Sequence, residues 1–355
     1  MTDSIHKQNS RSIWFHLHFW IGWIAAIPIA LICLTGGILI FEQEIIQWDN
    51  KELYQLETTG TRMSVGQVLE AYRSSDPPLR VNHLGIPRSP EHAYSAYTSG
   101  GKIYLNPYTG ELSKPSDEFS ISHTLIDVHR HLAAGKVGQQ VAAISSLVLA
   151  ITCIIGLVLW WPLRGRTFVR AWKRGHALDW HNALGLVATV PLIVMAITGV
   201  TFTWGRHLWP LIEGDTPSQL PRPTVTAPAG VEKLPIDPLV EQVKSIMSDV
   251  RWTGFQPSNR ESSAHAFFFS DGSNHNIQLF IDPYTGEELE RRDGSEKPTG
   301  LVAWYRRNFG RLHTFGTYGF VPQFIWGLLS VGGTVLVATG LWISMKRWRR
   351  LKHRA

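Results

Sequence analysis

A charge-free stretch headed by histidine occurs twice in this chain, and it limits what the chain can fold into. From His18 it reads HFWIGWIAAIPIALICLTG, and from His181 it reads HNALGLVATVPLIVMAITG. Each copy has Gly four residues after the histidine, Pro ten after, and Thr-Gly seventeen and eighteen after. These are Gly22, Pro28, Thr35 and Gly36 in one, and Gly185, Pro191, Thr198 and Gly199 in the other. Neither contains Asp, Glu, Lys or Arg. About twenty apolar residues cross the hydrocarbon of a bilayer, so each copy reads as a spanning helix that opens on an imidazole. An ionisable ring at that depth is costly unless something holds it, which marks a functional position.

Four windows lack Asp, Glu, Lys and Arg: 12–41, 137–163, 180–205 and 312–345. The first is too long for a signal-peptide core and reads as retained. The chain divides into a first transmembrane helix at 12–41, an external segment at 42–128 and a second transmembrane helix at 129–163. A short loop at 164–179, a third helix at 180–205, a second external segment at 206–311, a fourth helix at 312–345 and a basic tail at 346–355 follow.

Charge orients these spans. The short loop carries Arg164, Arg166, Arg170, Lys173 and Arg174 against Asp179, and the tail carries Lys346, Arg347, Arg349, Arg350, Lys352 and Arg354 with no acid. Lys7 and Arg11 precede the first span. Positive short flanks stay in the cytoplasm, so both termini and the loop are expected inside and the two long segments outside. The net charge of +6 follows from this topology and does not call for nucleic acid. Cys33 and Cys153 are the only cysteines; both lie in spans and make neither a disulfide framework nor a thiolate metal site.

The external segments share a plan. In the first, 64–72 reads as a short helix capped by Ser64, 93–97 and 102–105 read as strands, and 106–112 is a turn containing Pro-Tyr-Thr-Gly-Glu. In the second, 238–250 reads as a helix, 264–270 and 276–281 as strands, and 282–289 repeats the turn motif. The duplication reaches the remaining spans. His129 and His313 each stand 27 residues before a glycine, Gly156 and Gly340. Each is followed by Gly six residues on (Gly135, Gly319) and Gln ten on (Gln139, Gln323). The expected fold is two halves with the same orientation, related by a pseudo-two-fold axis along the membrane normal.

That axis pairs His18 with His181 near the cytoplasmic face and His129 with His313 near the external face. Two pairs of imidazoles at two depths are what two bis-histidine haems require, one ligand from each half. No C-x-x-C-H occurs, so the haems would be non-covalent. With both axial positions filled, electron transfer is the expected chemistry. The bland alternative is that each histidine is an interhelical hydrogen-bond donor. His16 and His131 lie two residues from His18 and His129, on nearly opposite helix faces, and compete for the same roles. His129 stands eight residues outside its charge-free window, about 12 Å at helical rise, which places the outer pair at the interface. Arg130, Arg306, Arg307 and Arg311 lie near the outer histidines and are candidates for haem propionates or an anionic substrate, or are plain solvated flanks.

The histidine-headed spans and the repeated Pro-Tyr-Thr-Gly-Glu turns resemble the PepSY-associated transmembrane family, over about residues 12–350. The resemblance implies a membrane protein of four transmembrane α-helices in two pseudo-symmetric halves, each with an external α+β PepSY-like domain. Characterised relatives include ferric-siderophore reductases of the ferrioxamine type, which carry two b-type haems. The resemblance therefore implies His18, His181, His129 and His313 as axial ligands, a multi-pass protein of the bacterial inner membrane with periplasmic domains, and a ferric siderophore as substrate. Siderophores hold ferric iron through hard oxygen donors far more tightly than ferrous iron, so one electron releases the metal. No nucleophile motif, phosphate-binding loop or dinucleotide fingerprint occurs, so a membrane quinol or another redox protein is the expected donor. The competing functions are a non-catalytic PepSY regulatory protein and a transporter for iron or its chelate.

Overall fold

A computed structural model describes residues 2–98, 100–113, 120–163, 165–213, 221–271, 276–294 and 300–352. Arg164 and Arg354 of the basic flanks lie outside these residues. The helices are α1 (Thr2–Ile24), α2 (Ala26–Ile38), α3 (Glu42–Asp49), α4 (Lys51–Tyr54), α5 (Val65–Arg73), α6 (Ile121–His131), α7 (Gly135–Trp160), α8 (Thr167–Arg174), α9 (Ala177–Glu213), α10 (Ile236–Ile246), α11 (Leu301–Thr314) and α12 (Phe320–Lys352). The strands are β1 (Val81–Gly85), β2 (Tyr94–Thr98), β3 (Gly101–Leu105), β4 (Leu112–Ser113), β5 (Arg251–Gln256), β6 (His265–Ser270), β7 (Asn276–Ile281) and β8 (Glu288–Asp293). The chain forms two units, a helical one of residues 1–45, 121–216 and 298–355, and a sheet unit of residues 46–120 and 217–297.

Among the described residues, four helical stretches are long and apolar enough to cross a membrane: Ala26–Asp49, Gly135–Trp160, Ala177–Ile212 and Phe320–Arg349. The first differs from the expected 12–41. Pro28 has no N–H and its ring crowds the carbonyl of Ile24, so α1 ends there and Ala25 takes a non-helical conformation. Pro191, the equivalent residue, lies inside an uninterrupted α9.

The helical core gathers Ala25, Ile29 and Cys33 with Ala188 and Leu192, and Cys153, Met195 and Leu336 pack against it. In lipid, helices associate through close approach and polar contacts, because burying apolar surface gains little. The α2–α12 contact uses both. A Cβ on Gly37 would meet Val331 Cγ2 at 2.5 Å, and one on Gly333 would meet Cys33 Sγ at 2.7 Å. Ser330 Oγ donates to Cys33 O (2.9 Å), Thr334 Oγ1 to Ala30 O (3.0 Å) and Gln323 Nε2 to Ile40 O (2.6 Å).

The segments 129–163 and 312–345 are not continuous helices. α6 ends at His131, Leu132 and Ala133 take positive φ (48° and 55°), and so does Gly135 (54°), the first residue of α7. α11 ends at Thr314, and Phe315 and Gly319 take positive φ (57° and 100°) before α12. His129 and His313 therefore ride on short helices separate from the spans that follow them.

The two expected external domains are one body. A single antiparallel sheet runs β4-β3-β2-β1-β5-β6-β7-β8, joined across its middle by Leu84 opposite Phe255 and Gly85 opposite Gly254. Each four-stranded half alone would end in an open edge strand, and the β1–β5 pairing satisfies both edges. Helices α5 and α10 cover one face, where Val68, Leu69, Tyr72, Leu239 and Val243 pack on Leu84, Leu105, Phe255, Phe267 and Leu279. Ser64 caps α5 through a capping box with Gln67. The repeated Pro-Tyr-Thr-Gly motif forms the β3–β4 and β7–β8 turns. Asn106 Oδ1 accepts from Tyr108 N (2.9 Å) and Asp282 Oδ1 from Tyr284 N (2.8 Å), while Gly110 and Gly286 both take φ +75°.

Candidate functional site

The four repeated histidines meet in two pairs within the helical unit. The rings of His18 and His181 have centroids 6.5 Å apart with planes at 84°. Those of His129 and His313 are 6.2 Å apart with planes at 56°. Two imidazoles on opposite sides of one metal, each about 2.0 Å from it through a ring nitrogen and with a ring radius of about 1.1 Å, have centroids about 6.2 Å apart. Rotation of the planes about the common axis leaves that distance unchanged, so both angles are compatible with it.

Contacts with neighbouring helices set each ring. His129 Nδ1 lies 3.1 Å from Ile32 O and 3.2 Å from Thr35 Oγ1 on α2. His313 Nδ1 lies 2.8 Å from Thr198 Oγ1 on α9, and His181 Nδ1 lies 2.9 Å from Thr339 Oγ1 on α12. His18 Nδ1 is buried without a hydrogen-bond partner. Among the described residues, none of the four Nε2 atoms makes a hydrogen bond, so Nε2 is the nitrogen left for a metal. A partner on Nδ1 fixes the ring and its tautomer in metal-binding histidines generally.

Glycines stand beside every ring. A Cβ on Gly156 would lie 3.5 Å from His18 Cε1, and one on Gly340 would lie 3.5 Å from His181 Cε1. The corresponding approaches are 2.8 Å from Gly36 to His129 Cε1 and 3.7 Å from Gly199 to His313 Cε1. The Thr-Gly pair that closes each repeated stretch is thus the cradle for a histidine on another helix, and the glycine 27 residues past each outer histidine is the cradle for an inner one.

The two sites lie at separate depths. One uninterrupted helix, α9, carries His181 and, seventeen residues on, the Thr198 that holds His313. At 1.5 Å per residue that separates the sites by about 26 Å, close to the roughly 30 Å hydrocarbon thickness. The outer pair is deeper than the sequence implied. The reversal at Leu132–Gly135 turns α6 back so that His129 sits beside Thr35, six residues inside the end of the charge-free window.

The competing histidines are placed elsewhere. His131 Nδ1 pairs with Asp127 Oδ1 at 3.0 Å, and His16 is exposed with its ring edge-on to Phe15. Arg130 lies 3.7 Å from Glu42 Oε1, Arg306 lies over the Trp209 ring at 5.8 Å and Arg311 Nη1 donates to Asn308 Oδ1 (3.4 Å). Arg307 is exposed on α11, the helix that also carries Arg306, Arg311 and His313. Thr339 had no sequence signal, because Ile155 occupies the matching place before Gly156. Thr35 and Thr198 did have one, since their repetition marked them.

No group of three or more His, Cys, Asp or Glu side chains gathers among the described residues to hold a bare metal ion. A pair of histidines suits a metal that brings further donors of its own, as the iron of haem does. The spacing of the pairs, the Nδ1 contacts of His129, His181 and His313 and the glycine cradles fit that group. No curated protein matches the chain. The family described as the PepSY-associated TM region matches residues 15–347, nearly the whole length, and the chain belongs to that family.

Proposed function

We propose that this chain is a di-haem oxidoreductase of the bacterial inner membrane that passes electrons across the bilayer to reduce a periplasmic ferric siderophore and release ferrous iron. The observation that carries this reading is the pair of histidine couples, with ring centroids 6.5 and 6.2 Å apart, at two depths of one bundle. His18 and His181 would hold one non-covalent b-type haem and His129 and His313 the other. Bound there, haem supplies a one-electron couple at each depth. Thr339, Thr198 and Thr35 orient the rings. With two histidines of the chain holding each haem, the residues would favour electron transfer over oxygen chemistry. The electron donor in this reading is a membrane quinol or a redox protein. Both termini are cytoplasmic, and the two halves are related by a pseudo-two-fold axis, with the PepSY-like sheet in the periplasm. The matching cradles of the histidine pairs support the duplication.

The test is anaerobic. Chemically reduced, purified protein is mixed with a ferric hydroxamate siderophore and a ferrous-specific dye. Reoxidation of the protein with equivalent colour from the dye is the expected result, lost in His313→Ala. Stable reduced protein in the presence of the chelate overturns the reductase reading. A colourless preparation from haem-replete cells supports the regulatory or transport alternative instead.

A further inference from the structure

Helix α8 joins the end of α7 to the start of α9, and its three sides differ in kind. At about 100° per residue, Thr167 and Ala171 share one edge, Phe168, Trp172 and Val169 the next third of the circumference, and Lys173, Arg166, Arg170 and Arg174 the remainder. Thr167 and Ala171 are buried, and Trp160 Nε1 of α7 donates to Thr167 Oγ1 at 2.6 Å, so that edge is docked on the bundle. Phe168, Val169 and Trp172 are 56%, 55% and 83% exposed, which leaves the second side bare of protein. The four cations of the third side make no ion pair or side-chain hydrogen bond among the described residues.

A bare aromatic side adjoining a row of unpaired cations suits one environment, the boundary between acyl chains and phosphate headgroups. The helices on either side of α8 are membrane-length spans, Gly135–Trp160 and Ala177–Ile212, so α8 lies where such spans leave the bilayer. We infer that α8 is an interfacial anchor that selects anionic phospholipid, with Phe168, Val169 and Trp172 in the acyl boundary and Arg166, Arg170, Lys173 and Arg174 on headgroup phosphates. Charge complementarity chooses anionic over zwitterionic lipid. The anchor also bears on the inner histidine pair, because α7 supplies the Gly156 beside His18 and α9 carries His181 four residues after its start. It does not depend on haem.

The experiment reconstitutes the full chain, and separately Trp172→Phe, into vesicles of phosphatidylcholine with phosphatidylglycerol, bromine being placed on one lipid or the other. The fluorescence lost on replacing Trp172 is the signal. The expected result is stronger quenching by brominated phosphatidylglycerol, about fivefold preference per engaged cation at low salt, shrinking as salt shortens the Debye length to about 3 Å at 1 M. Equal quenching by both lipids, or a preference that ignores salt, overturns the anionic selection. No quenching by either shows that α8 does not meet the membrane. The salt series is read as the difference between the native chain and Trp172→Phe, which keeps an aromatic ring and every cation of α8, so the variant tests the signal without removing the anchor. In Arg170→Gln/Lys173→Gln the preference is expected to fall; an unchanged preference contradicts the assignment of those cations.

Discussion

Gly36→Ala and Gly199→Ala occupy equivalent places in the repeat, yet the structure separates their effects. A Cβ on Gly36 would stand 2.8 Å from His129 Cε1 and 3.3 Å from Nδ1. Ordinary carbon contacts lie at about 3.5–4.0 Å, so the ring must retreat. Retreat breaks its contacts with Ile32 O and Thr35 Oγ1, at 3.1 and 3.2 Å. On Gly199 the nearest atoms are Ser146 Oγ at 3.6 Å and His313 Cε1 at 3.7 Å, which is normal packing. Overpacking of the Gly36 kind costs about 1–3 kcal/mol, or about 5- to 150-fold in affinity for whatever His129 holds. The assay is haem titration of haem-depleted protein, following the absorbance of the six-coordinate form. Gly36→Ala is expected to lose affinity at one of two sites by that factor, while Gly199→Ala binds as the native protein does. Equal losses in the two variants, or none in Gly36→Ala, would refute the placement of His129.

Two further outcomes follow from named contacts. Thr198→Val keeps the shape of a buried side chain but removes the hydroxyl 2.8 Å from His313 Nδ1; outer-site haem affinity should fall about 10- to 100-fold, as for other groups that orient a ligand, and an unchanged dissociation constant would show that the hydroxyl plays no orienting part. In the sheet unit, burial first, then the charges of Lys233, Arg222 and Arg73, pushes His265 down to about 3; its Nδ1 accepts from Ser258 N and its Nε2 is buried without a partner. The native state therefore resists the proton that the unfolded chain takes up below about pH 6.5. Stability is complete above that value and falls by about 1.4 kcal/mol per pH unit below it, down to about pH 3. Urea unfolding followed from pH 7.5 to 5 should show this slope in the native chain and a flatter one in His265→Gln; equal slopes would remove His265 as the cause.

Much of the helical unit was legible because lipid excludes charge: the four apolar windows and their repeated Gly, Thr and His positions stand out without any alignment. The spacing of 27 residues from His129 to Gly156 and from His313 to Gly340 even held the cradle geometry, although its use appears only when His18 and His181 are seen beside those glycines. The reversals were hidden. Leu132, Ala133 and Phe315 take positive φ without being glycine, and no local pattern announces a turn at such residues. The break at Ala25 was half visible, since Pro28 signals one, but the matching Pro191 leaves α9 whole; propensity yields to the packing of each helix. The sheet turns were readable from Pro-Tyr-Thr-Gly, a local motif, whereas the β1–β5 junction joins residues some 170 apart in sequence and carries no local mark. The arginines show the same limit. Sequence proximity to His129 and His313 could not reveal that Arg130 faces Glu42 and Arg306 faces Trp209.

Haem content per chain is the most direct measurement, taken on protein purified from haem-replete cells, with His181→Ala and His313→Ala alongside. Two haems per chain with a low-spin, six-coordinate spectrum, and about one haem in each variant, is the expected result. A colourless native protein, or one that keeps both haems after either substitution, contradicts the pairing of these four histidines around iron.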